Sequence, residues 1–185
     1  MPNSDTELAE RLSALRRARN WPLELLAEKT GVSRASLSRI ERGDTSPTAA
    51  ILGKLAAAFG VTVAELFGVL PGPSETCFPR GDQPVWRDAE TGFVRRSLTP
   101  ASGGYRGSMI EGWLPAGAIV SYDAPPFPEL EHHLVLLEGN LRCTLGRDIH
   151  DLTPGDALRF RLNSPNSYQA TGTAPARYIL TVIIP

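Results

Sequence analysis

Three groups of residues in this sequence have types and spacings that could do chemistry: a pair of imidazoles, two isolated thiols and a run of arginines at helical spacing. His132 and His133 could serve a divalent metal together with carboxylates such as Asp123, since imidazole and carboxylate suit first-row ions. Adjacent residues on a strand point to opposite faces, however, so the two histidines cannot hold one ion between them. Cys77 and Cys143 have no C-x-x-C spacing and are too few for a disulfide framework. Cys143 reads as apolar filler, and Cys77 has no basic neighbour closer than Arg80 to activate a thiolate. The arginines are better placed. Arg34 and Arg39, with Ala35, Ser36 and Ser38 between them, would lie along one short helix. There an arginine can donate two parallel hydrogen bonds to guanine O6 and N7, worth ~1–3 kcal/mol of discrimination. Ala35 could touch a thymine methyl, and Thr45, Ser46 and Thr48 are suited to grip phosphates beside helix-start amides.

Such a helix needs a scaffold, and the first seventy residues supply one. Ser4 and Glu7 can form a capping box, and Leu8, Leu12 and Leu15 then share one face of a helix over about 5–19. Pro22 opens a second helix that stops at Gly31, and Ser33 caps a third, anchored by Leu37 and Ile40 and stopping at Gly43. Ser46-Pro47 opens a fourth, with Ile51, Leu52, Leu55 and Phe59 inward. Thr62 and Glu65 make a second capping box before Val63, Leu66 and Phe67. Trp21, next to a helix start, reads as a staple onto this core rather than a base-stacking residue.

Near Pro71-Gly72-Pro73-Ser74 the pattern changes from helical periods to alternating apolar residues broken by Gly and Pro. The expected organisation is a helical domain over 1–70, a semi-rigid Pro-rich linker over 71–84 and a β domain over 85–185. Nine strands are expected, over 93–98, 105–113, 118–122, 132–138, 141–145, 149–152, 157–160, 167–170 and 177–184; turns at Gly139-Asn140, Gly146-Arg147 and Pro154-Gly155 separate some of them. With 185 residues, 42% hydrophobic and 21% charged, the chain can bury such cores. Its acidic start lacks the basic region of a secretory signal, and no apolar run reaches the length of a membrane span. A cytoplasmic protein with no membrane partner is expected. The net charge is −1, so any binding to nucleic acid must come from locally placed charge.

The segment from Leu23 to Gly43, with its ending Leu-Ser-Arg-Ile-Glu-Arg-Gly, resembles the Cro/C1-type helix-turn-helix of phage repressors and XRE regulators over about residues 8–67. The resemblance implies a lambda-repressor-like bundle of five helices whose third helix enters the major groove. Leu114-Pro-Ala-Gly117, His132 to Gly139, Leu152-Thr-Pro-Gly-Asp156 and Ser164-Pro-Asn-Ser-Tyr168 in turn resemble the two motifs of the cupin jelly-roll barrel. The fold class is therefore an α+β multidomain chain, and the combination is similar to the XRE–cupin regulators. Those imply a homodimer on double-stranded, inverted-repeat operator DNA and a barrel that senses a small-molecule effector.

Cupins usually hold a metal through His-x-His, Glu and a later His. Here the glutamate position is His132, the first two fall on Pro125 and Phe127 (or Asp123 and Pro125), and the last is Asn166. That set is short of a tight site, so no metal, cofactor or catalytic residue is expected. His132, Arg142, Arg159 and Asn166 are the candidate effector-pocket residues; an inward-facing arginine would favour a carboxylate or phosphate. Two alternatives stand beside this reading: a metal-dependent enzyme of the helix-turn-helix–cupin epoxidase type, and a barrel that only dimerises.

Overall fold

A computed structural model describes residues 4–67, 76–100 and 105–185. The expected boundary at residue 70 and the first five linker residues, 71–75, lie outside the described residues, as does the side chain of Ser4. Five helices come first: α1 Ser4–Ala18, α2 Leu23–Thr30, α3 Arg34–Glu41, α4 Ala49–Phe59 and α5 Val63–Leu66. Their ends follow the local chemistry. Gly31 closes α2 in the left-handed region at φ 65°, its N–H bonding Ala27 O. Ser33 Oγ accepts from Ser36 N at the start of α3, and the Thr62–Glu65 capping box is complete. Leu8, Leu12, Leu26, Leu37, Ile40, Leu52, Leu55 and Phe59 form the buried centre of this bundle.

Ten strands follow: β1 Val85–Arg87, β2 Val94–Thr99, β3 Gly107–Leu114, β4 Ile119–Tyr122, β5 Leu130–Glu138, β6 Leu141–Leu145, β7 Asp148–Leu152, β8 Ala157–Leu162, β9 Asn166–Ala170 and β10 Ala176–Ile183. They form two antiparallel sheets, ordered β1-β2-β3-β10-β5-β8 and β4-β9-β6-β7. From β3 to β10 the chain changes sheet at every connection but β6–β7, which is the double Greek key of an eight-stranded jelly roll, with β1 and β2 widening the first sheet. Clean alternation of burial along β5 and β10 puts one face of each into the barrel. β1 was not among the expected strands: three residues after Pro84, with only Trp86 buried, carry too short a period to be seen. No helix among the described residues is long and apolar enough to cross a membrane.

The two halves pack on each other as one continuous apolar core. Helix α4 lies on β4, close enough that a Cβ on Gly53 would come within 2.6 Å of the Tyr122 ring. Trp86 sits in a T-shaped contact with Phe93 at 6.3 Å, and its ring lies 5.7 Å from that of Phe67 in the helical half. Its indole N–H donates to Ser46 Oγ at 3.1 Å. The Asp88 carboxylate, which follows β1, accepts from the backbone N–H of Ala49 at the first turn of α4.

Candidate functional site

Helix α3 presents the surface expected of a groove reader. Its back face, Leu37 and Ile40, is buried, while Arg34, Ala35 and Arg39 are exposed and Ser36 and Ser38 are half-buried. The helix is locked to α1 by a bidentate pair, Arg16 Nε to Glu41 Oε1 and Arg16 Nη2 to Glu41 Oε2, both at 2.7 Å. The same guanidinium donates to Trp21 O at 2.8 Å, and the Glu41 contact raises the pKa of Arg16. Trp21 stacks on Phe59 with ring centres 5.8 Å apart, the stapling role its position suggested.

The candidate DNA-contacting side chains are not equivalent. Arg39 makes no side-chain hydrogen bond or ion pair among the described residues, so its fork is available. Arg34 pairs with Glu24 of α2 at 2.6 Å, both side chains mostly exposed. Ser38 Oγ accepts from Arg42, and Ser36 Oγ receives a hydrogen bond from Ser33 at 2.9 Å. Thr45 is exposed, whereas Thr48 caps α4 by accepting from Ile51 N. Ser46 is drawn into the contact between the halves, accepting from Trp86 and donating to Asp5 Oδ1 at 3.1 Å.

A cavity of about 80 Å³ lies between the barrel and the helical half, walled on one side by Gly53, Ala56 and Thr62. His132 and Asn166 line it, both buried. Arg142 and Arg159 do not, which corrects the expectation that they supply its polar groups. Arg142 faces outward from β6 and pairs with Asp151 at 2.7 Å, and Arg159 is exposed on the outer face of β8. Each falls on the outward phase of its strand, next to an inward residue such as Cys143 or Leu158. The inward arginine is Arg95 of β2, which sequence reasoning missed because β2 carries two adjacent arginines and only sheet register decides which turns in.

Around Arg95 the cavity is rich in phenols. Tyr122, Tyr168 and Tyr178 line it; Tyr168 stacks on Tyr178 at 6.0 Å and meets Tyr122 edge-on at 6.4 Å. Burial holds all three above the usual tyrosine pKa, Tyr122 at about 12, so their hydroxyls stay protonated. Burial lowers Arg95 to about 10, still protonated near neutrality. His132 Nδ1 stands 3.4 Å from Tyr168 Oη, while its buried Nε2 has no partner among the described residues. Burial, and then the neighbouring His133, push its pKa down to about 4, so the ring is neutral. His133 points to the opposite face and contacts Glu131 at 2.6 Å. No three His, Cys, Asp or Glu side chains converge to hold a metal among the described residues. One neutral imidazole and an amide do not match the donor set that a cupin metal requires.

A helix-turn-helix family profile, HTH_3, matches residues 12–66, from within α1 to the end of α5. The HTH-type transcriptional regulator SutR of Escherichia coli strain K12 is 30% identical over 172 residues, covering 93% of this chain and 92% of that protein. The chain belongs to the XRE-type helix-turn-helix transcriptional regulators. A crystal structure of an HTH_3 family transcriptional regulator from Vibrio cholerae superposes on this regulator with a TM-score of 0.79, at 25% identity over 98% of this chain and 97% of that one. Hydroxypropylphosphonic acid epoxidase from S. wedmorenis shares the fold at a TM-score of 0.50 and 17% identity, covering 97% and 98% of the two chains. The regulator thus has α3 as the second helix of its helix-turn-helix, set in a bundle that also forms a wall of the barrel cavity.

Proposed function

We propose that this regulator reads an inverted-repeat operator as a homodimer, with α3 in the major groove, and that its barrel cavity binds a small effector that alters how the two reading heads are presented. The observation carrying the first part is Arg39: a guanidinium with no side-chain partner among the described residues, on an exposed helix whose back is fixed by a bidentate Arg16–Glu41 lock. An unpaired arginine on a fixed helix can give base discrimination, whereas Arg34, Ser36 and Thr45 fit register and phosphate contacts better. The second part rests on the shared wall, because a molecule in the cavity touches residues of both halves. The cavity supports this reading over metal-dependent catalysis, since among the described residues its one imidazole and one amide do not match a cupin metal's donor set.

Selection of bound sequences from random duplexes, followed by affinity measurement on the selected site and on random DNA at fixed salt, tests the reading. A two-fold symmetric consensus with half-sites about one helical turn apart supports it. Equal affinity for every sequence sinks it.

A further inference from the structure

Arg95 is buried at 4% exposure, lines the cavity, and has no carboxylate in ion-pair contact among the described residues. Its one side-chain hydrogen bond there runs from Nη1 to Ser97 Oγ at 2.9 Å, and the rest of the fork has no acceptor. Asp88, the buried acid that follows the neighbouring strand, already accepts from the backbone amides of Ala49, Glu90 and Thr91. Tyr122 and Tyr178 line the same cavity, and neither hydroxyl has a hydrogen-bond partner among the described residues. Gly112 pairs with Arg95 on one side and Tyr178 on the other, and its missing Cβ leaves the space in which the hydroxyl end of Tyr178 lies. A second orphan faces this system across the sheet: His132 Nε2, on β5, in the wall of the same cavity.

A buried cation beside unpaired donors is unfavourable until an anion joins it. The arrangement offers one positive charge and two neutral donors, with Ile110, Leu180 and Val182 as apolar wall. A dianion such as sulfate would bring one charge too many. The space is about 80 Å³, about half of the ~150 Å³ hole that accepts benzene.

We infer that the cavity binds a short-chain organic monoanion, its carboxylate held by Arg95 and by hydrogen bonds donated from Tyr122 and Tyr178, and its tail on the apolar wall. The inference deepens the proposed sensing role and rests on it for its regulatory meaning. Arg95 also lies 5.0 Å over the ring of Phe67, and Tyr122 abuts Gly53 of α4. The anion's ligands are therefore the same groups that seat the helical half on the barrel, so occupancy changes that seat.

The test titrates the full-length protein with sodium propionate, propionamide and sodium sulfate at constant ionic strength, by calorimetry and thermal unfolding. Saturable propionate binding is expected, with propionamide at least ~10-fold weaker because it lacks the charge. Tyr122→Phe and Tyr178→Phe should each weaken propionate about three- to tenfold with unfolding little changed. Arg95→Gln should abolish the preference for the anion; if that variant does not fold, the two phenylalanine variants decide. Equal binding of propionate and propionamide, or wild-type propionate affinity in the Tyr122→Phe/Tyr178→Phe double variant, overturns the inference. So does absence of saturable propionate binding. Operator affinity measured with and without propionate separates the two readings: binding that leaves DNA affinity unchanged upholds the ligand class and removes the sensing role.

Discussion

The Asp88 carboxylate of the β half caps a helix of the other half, accepting at 2.8 Å from the Ala49 N–H in the first turn of α4. It is 1% exposed and also receives the Glu90 and Thr91 amides, so a single side chain closes a turn and ties the two halves together. Asp88→Ala leaves three amides without their acceptor and should cost about 2 kcal/mol. Chemical unfolding should show it, and limited proteolysis should cut the 76–84 segment faster than in the parent.

Glu41 and Arg16 are mostly buried and doubly hydrogen-bonded. Glu41→Gln breaks the charge pair and strands the guanidinium, for an expected loss of roughly 3 kcal/mol. Because the lock positions α3 as a whole, affinity for operator and for random DNA should fall together. A selective loss on operator alone would assign Glu41 a different role.

Arg39→Ala should reduce operator affinity by ~1–3 kcal/mol while leaving random-DNA affinity nearly constant at matched salt. Arg34→Ala should act more evenly on both, since that guanidinium is shared with Glu24. Fluorescence anisotropy on the two duplexes distinguishes the cases.

His132 has a pKa depressed to about 4, below its ordinary 6.5. The folded state therefore favours the neutral ring, a contribution fully present above pH ~6.5 and lost as the pH falls toward 4. The full loss is of order 3 kcal/mol. Unfolding free energies of the parent and of His132→Gln, measured between pH 7 and 4.5, should converge as the pH drops. Parallel curves would show that His132 is not the titrating group.

Gly53→Ala should destabilise, against the ~1 kcal/mol gain usual for such a change inside a helix, because the new Cβ would meet the Tyr122 ring at 2.6 Å. In a Tyr122→Ala background the sign should reverse. A thermal-unfolding double-mutant cycle reads that coupling directly.

Much of the reading head was legible in the sequence. Helix ends are set by neighbours a few positions apart, so Gly31, Ser33 and the Thr62–Glu65 box could be read as stops and caps, and Leu37 and Ile40 as the buried side of α3. The barrel's alternating strands and turn glycines were legible for the same reason, as were His132 and His133 on opposite faces. Arg95 was not: in Val94-Arg95-Arg96, nothing local says which arginine enters the cavity, and the register of β2 between β1 and β3, with the packing of that sheet's inner face, decides it.

What the sequence determined by itself is everything governed by short-range periodicity: five short helices, an alternating β half and an arginine-bearing face on the third helix. The tertiary structure alone decided what depends on residues far apart in the chain. It turned Arg142 and Arg159 outward, gathered Arg95 with Tyr122 and Tyr178, engaged Ser46 with Trp86, and made α4 a wall of the cavity. The physical reason is that burial and pairing are set by which surfaces meet, and one residue of register in a sheet exchanges inside for outside.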